Sequence, residues 1–131
     1  MSDNTLQRAE RLRSLKAIRR LFADGRGGFV YPFRYMFFVE AADAEAGDAE
    51  RGIEVMFSVP KKFHKRANKR NVLKRRTREA YRLNREQLRV KVEQSGKQLD
   101  LALVYSTKDI LSYKTIENAV RRILGQVCER V

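Results

Sequence analysis

The chain has one cysteine, one histidine and two prolines among its 131 residues. A single thiol, Cys128, cannot close an internal disulfide, and its place in an apolar-periodic tail reads as a packed thiol suited to a reducing compartment. With His64 as the only imidazole, the roughly four Cys and His ligands of a zinc cluster are missing. No GxxxxGK[ST] loop and no Gly-rich dinucleotide fingerprint is present. No segment announces a nucleophilic triad. Nowhere do about 18 apolar residues run together, so no membrane span is expected. The opening MSDNTLQRAERLRS lacks the apolar core of a secretory signal. Acid is scarce as well: 16 Asp and Glu stand against 29 Lys and Arg, a formal net charge of +13.

That excess sits in one place. Lys61 to Arg85, KKFHKRANKRNVLKRRTREAYRLNR, holds twelve Lys or Arg residues and the single acid Glu79, a local net of +11. Self-repulsion of this size is offset most readily by a polyanion, with nucleic acid ahead of an anionic membrane surface. An apolar fraction of 43% in 131 residues supports one folded domain spanning 1–131, with residues 1–10 expected to be frayed. No internal repeat is visible.

Along the chain, Ser14 is a candidate N-cap for a helix at about 15–24, with Leu15, Ile18, Leu21 and Phe22 at helical spacing and Gly25 closing it. GRGGF reads as a turn. Tyr31 to Glu40 then reads as a strand beginning at Pro32, with Phe33, Tyr35, Phe37 and Val39 on one face and Arg34, Met36 and Phe38 on the other. The acidic stretch 41–52 reads as a solvated hairpin loop leading to a strand at Ile53 to Val59, and this adjacency predicts an antiparallel pair.

The spacing predicts a second helix from near Asn68 to at least Asn84. It gathers Lys74, Arg75, Arg78, Arg82 and Arg85 in an arc of about 100° centred on Asn71, with Val72, Leu73, Thr77, Ala80 and Leu83 opposite. A merely solvated face would interleave acids, and Glu79 stands almost alone. Helix then continues to about Ser95 and Gly96. Leu99 to Tyr105 is apolar enough for a central strand. A last helix capped by Ser112 or Thr115 carries Ile116, Val120, Ile123, Leu124 and Val127 on one stripe, with Gly125 as a local weak point. The order α-β-β-(β)-α-β-α is that of an α+β layered domain, a two-layer α-β sandwich.

The pattern Arg70-Asn71, Lys74-Arg75, Arg78-Glu79 and then Tyr81 resembles the signature helix of the bacterial ribonuclease P protein component. Phe57 to Lys62, FSVPKK, is similar to that family's strand ending, and ERLRSLKAIRRLFADGR to its first helix. The resemblance spans about residues 10–127. It implies a fold like the second domain of ribosomal protein S5, with a left-handed βαβ crossover that spacing alone does not reveal.

In function the resemblance implies an accessory, cytoplasmic subunit, monomeric within its ribonucleoprotein, with no membrane association, no catalytic residue and no metal ligand in the protein. Ribonuclease P RNA, with magnesium as its cofactor, hydrolyses the phosphodiester joining the 5′ leader to mature tRNA. The resemblance assigns RNA binding to Lys69, Arg70, Asn71, Lys74, Arg75, Arg78 and Arg82. It assigns a leader-binding cleft to Phe22, Ser58, Lys61 and Lys62, with Tyr35 or Phe37 as the sheet's stacking surface. Val72 stands where the family has a second Arg, and Ile18 where it has an aromatic. The loop Phe63 to Asn68 is one residue longer than usual, and 41–52 and 86–98 are expansions. A ribosomal-protein-like RNA binder and a DNA-binding protein with its basic helix in a major groove are the alternatives.

Overall fold

A computed structural model describes residues 11–41 and 52–131. Eight elements follow in order: α1 (Leu15–Asp24), β1 (Arg26–Val30), β2 (Phe33–Ala41), β3 (Ile53–Ser58), α2 (Ala67–Asn84), α3 (Glu86–Ser95), β4 (Lys97–Tyr105) and α4 (Tyr113–Arg130). The fold is α+β, with a four-stranded sheet in the order β1-β2-β4-β3.

β4 takes the centre because its apolar run needs cover on both sides: Leu99, Leu101, Leu103 and Tyr105 alternate with Asp100 and Ala102, and all six are buried. It pairs antiparallel with β2 and parallel with β3. The antiparallel pair predicted between β2 and β3 is therefore corrected, since β4 lies between them. The acidic residues expected to form a hairpin loop lie, from 42 to 51, outside the described residues.

The turn predicted at GRGGF is also corrected. This segment is the edge strand β1, paired antiparallel with β2. A Cβ at Gly28 would stand 2.6 Å from the Tyr35 hydroxyl, so the missing side chain lets the tyrosine ring lie across β1. A segment without side-chain alternation thus becomes a strand by close approach.

One face of the sheet is closed by α2, α3 and α4. Phe33, Tyr35 and Phe37 from β2, Val55 from β3 and the odd-numbered residues of β4 pack there. They meet Leu73, Ala80 and Tyr81 of α2, Leu88 and Val92 of α3, and the whole predicted stripe of α4. Each fully buried Leu, Ile or Phe contributes about 1.5–3 kcal/mol. The helix ends follow local chemistry. Ser14 accepts from Ala17 N–H and Ser112 from Thr115 N–H, both at 3.3 Å, and Gly96 closes α3 at a left-handed φ of 67°.

α1 lies alone across the opposite face. Before it, Leu12 N–H donates to the Val55 carbonyl at the β3 edge, at 2.8 Å. After it, Arg26 pairs with Phe37. Val55, Leu101 and Phe37 share one level of the register, so the helix runs transverse to the strands. Leu12 and Leu21 bury against Ala102, with Ile18, Met36 and Met56 around them.

Candidate RNA interface

The transverse path of α1 gives its two flanks different surroundings. On one flank Arg20 donates to both Glu40 carboxylate oxygens, at 3.3 and 3.1 Å, and to Asp100 Oδ2 at 3.4 Å. Its guanidinium lies 4.6 Å from the centre of the Phe38 ring. This clamp closes the sheet end built from Phe38, Asp100 and Glu40. Burial, then the nearby Glu54, lifts the Asp100 carboxyl above the usual carboxylate range, against the hydrogen bond from Arg20.

Phe22 sits about 160° around the helix from Arg20, with Leu15 beside it, on the flank facing the other sheet end. There the register sets Phe29, Arg34, Val104 and Ser58 side by side across all four strands. Phe22, Phe29 and Arg34 are exposed, while Val104 and Ser58 are half-buried. A trough results, with Phe22 on its wall, an aromatic and a cation on its floor, and the Ser58 end opening toward exposed Lys61 and Lys62.

Tyr35 does not belong to this trough. Only 2% of its surface is exposed, on the closed face, where its hydroxyl donates to Gln126 Oε1 at 2.5 Å. The leader role assigned to it by resemblance is corrected, because alternation along β2 turns it into the core. Phe29 and Arg34, not among the residues expected here from the sequence, share this strip of the sheet. Phe29 fell in the stretch read as a turn, and Arg34 was placed on the right face without a way to know that this end of the face stays open.

Beyond Pro60, the chain forms a cationic loop held from two sides. His64, buried, donates from Nε2 to the Thr107 carbonyl at 2.8 Å and packs its ring beside Tyr105. Arg70 reaches back from α2, its Nη1 donating to the carbonyls of His64 and Lys65 at 3.0 and 2.8 Å. Arg70 therefore shapes the loop, in addition to lying among the predicted RNA contacts.

On α2, Lys69, Asn71, Arg75 and Arg78 are exposed and Lys74 is half-buried. The four cations among them make no ion pair with any described residue. Arg82 is held by Glu79, Nε donating at 3.1 Å, a pairing that raises its already high pKa. Arg85, predicted on the same arc, is corrected: it is only 7% exposed, because α2 ends at Asn84 and the chain turns there into α3. On the opposite side Leu73, Thr77 and Ala80 are buried as predicted, whereas Leu83 is exposed.

A sequence model of the family Ribonuclease P matches residues 6–128. The chain belongs to the ribonuclease P protein family. A ribonuclease P protein component of Porphyromonas gingivalis is 29% identical over 126 residues, covering 96% of this chain and 88% of that one. Another, from Chlorobaculum tepidum, is 36% identical over 113 residues, covering 80% and 70%. In fold, the RNase P protein of Staphylococcus aureus superposes with a TM-score of 0.67 at 17% identity, covering 90% of this chain and 94% of that one. The RNase P protein of Thermotoga maritima gives 0.67 at 22% identity, covering 89% and 96%. No helix among the described residues is long and apolar enough to cross a membrane.

Proposed function

We propose that this chain is the protein subunit of a ribonuclease P ribonucleoprotein, a cytoplasmic assembly that it enters as a monomer. Its cationic loop and α2 face bind the catalytic RNA, and the trough beside α1 holds the single-stranded 5′ leader of precursor tRNA. The observation that carries the reading is the row of cations from Lys61 to Arg78 that has no carboxylate partner among the described residues, continuous through Ser58 with an open trough carrying Phe22 and Phe29. Phosphates neutralise such a row and release counterions. Aromatic faces in a trough accept unstacked bases at about 1–3 kcal/mol each.

The chemistry in this proposal is the RNA's. Magnesium bound to it supplies in-line hydrolysis of the phosphodiester. The protein's part is to hold leader and RNA in fixed relation.

The test is cleavage of precursor tRNA by the purified protein, by the RNA subunit, and by both across a magnesium titration. The protein alone is expected to be inert and to lower the magnesium requirement of the RNA. Cleavage by the protein without RNA, or copurification with ribosomal RNA in place of one stable RNA, overturns the proposal.

A further inference from the structure

Beyond the C-terminal end of α2, the junction with α3 faces the outer side of α4 across a groove of about 560 Å³. Asn84, Gln87, Arg121, Arg122 and Asn118 form its polar lining, and Leu88, Leu124, Gly125 and Cys128 the apolar part. No carboxylate among the described residues lines it. Three acids lie close in sequence: Glu117 meets the groove at its Asn84 end, accepting from Asn84 Nδ2 at 3.1 Å and from the Tyr113 hydroxyl at 3.2 Å, Glu86 is paired with Arg89, and the exposed Glu129 makes no ion pair with any described residue. Arg121 and Arg122 are exposed and make no ion pair or side-chain hydrogen bond with any described residue. The Gln87 and Asn118 amides are likewise uncommitted. At Gly125 an added Cβ would meet nothing within 4 Å, so the glycine leaves the groove open where any side chain would begin to fill it.

Two guanidinium groups that pair with no carboxylate among the described residues can take up an anion, and the apolar part suits the flat face of a base or a ribose. The recess is of nucleotide-binding size, and a duplex, whose phosphates lie on a convex surface, does not enter it. Asn84 lies ten residues beyond Lys74 on one helix, about 15 Å. A strand of a few nucleotides bridges the two. We infer that the α3–α4 groove binds the backbone of a single-stranded RNA segment, a contact separate from the α2 face and from the trough. Its occupant is a strand of the RNA that α2 binds, so the inference rests on the proposed RNA-binding function.

The experiment uses the full chain with its RNA subunit and reads two quantities. One is the slope of log affinity against log salt. The other is the labelling rate of Cys128, the chain's only thiol, by a maleimide. Arg121→Gln with Arg122→Gln is expected to flatten the slope by about 1.4 if both meet single-strand phosphates. RNA is expected to slow Cys128 labelling several-fold in the wild type and not in this variant.

Gly125→Leu fills the groove on an exposed helix surface. It is expected to keep helicity and melting temperature at least at the wild-type level while losing the same protection, which a purely structural role would not produce. Unchanged slope and protection in both variants overturn the groove contact, as does protection of Cys128 by free adenosine monophosphate but not by the RNA. Arg75→Gln with Arg78→Gln separates the two readings. If that pair alone weakens RNA binding, the α2 interface stands and the groove inference fails; if it leaves RNA binding intact, the underlying RNA-binding reading fails.

Discussion

On the sheet face turned toward α2 and α4, the aromatic residues Phe33, Tyr35 and Phe37 are buried to 3% exposure or less. On the face turned toward α1, the neighbouring positions of the same strand carry Arg34, Met36 and Phe38 and stay partly open. The two faces alternate residue by residue along β2, so composition alone does not separate them. What separates them is coverage. Three helices close one side, while one transverse helix closes only half of the other. The aromatics that look most like a base-stacking platform hold the fold together, while Phe29, on a glycine-rich edge strand, is left at the surface.

The largest expected effect comes from exchanging roles across that division. Tyr35→Ala should cost about 3–5 kcal/mol of stability, as core aromatic truncations do. Phe29→Ala, at a residue 59% exposed, should stay within about 0.5 kcal/mol in stability and lose about 1–3 kcal/mol in affinity for a single-stranded leader. Urea unfolding and a binding titration on both variants measure this, and matching profiles for the two would erase the distinction between the faces.

Smaller is the effect of removing charge without touching the sheet. Arg75→Gln with Arg78→Gln should leave unfolding unchanged and flatten the salt dependence of RNA binding by about 1.8 if each meets a phosphate of a helical segment.

The smallest concerns the closed end of the α1 face. Asp100 is 2% exposed and titrates above the usual carboxylate range because of burial and the neighbouring Glu54. A carboxyl whose folded pKa is raised contributes stability fully below its unfolded pKa, and this is lost as pH rises through the folded value. Asp100→Asn should therefore raise the melting temperature near neutral pH, with the gain shrinking as pH falls toward about 4. Thermal melts across that range decide it, and a loss at neutral pH would show that the Arg20 pair outweighs the burial.

α1, α2 and α4 could be read from the chain because their apolar stripes, caps and, for α2, concentrated charge all reside in local sequence. β1 could not, since its glycines carry no alternation and its strand character comes from what Tyr35 needs beside it. The pairing of β2 was misread for a related reason: nearness in sequence favoured β3, whereas the two-sided burial of Leu99 to Tyr105 placed β4 between them. The cationic face of α2 was legible for the reason the helix was. The trough was not, because it exists only once a helix flank and a sheet register are set against each other.

Arg70 and His64, gripping the loop from helix and sheet, bear on the thermodynamics of association. Ordering a backbone residue costs about 1–2 kcal/mol. With the carbonyls of His64 and Lys65 already fixed by Arg70, that entropy loss is incurred when the protein folds. An incoming polyanion finds the loop cations on a backbone already set, and more of the phosphate attraction is left to appear as affinity.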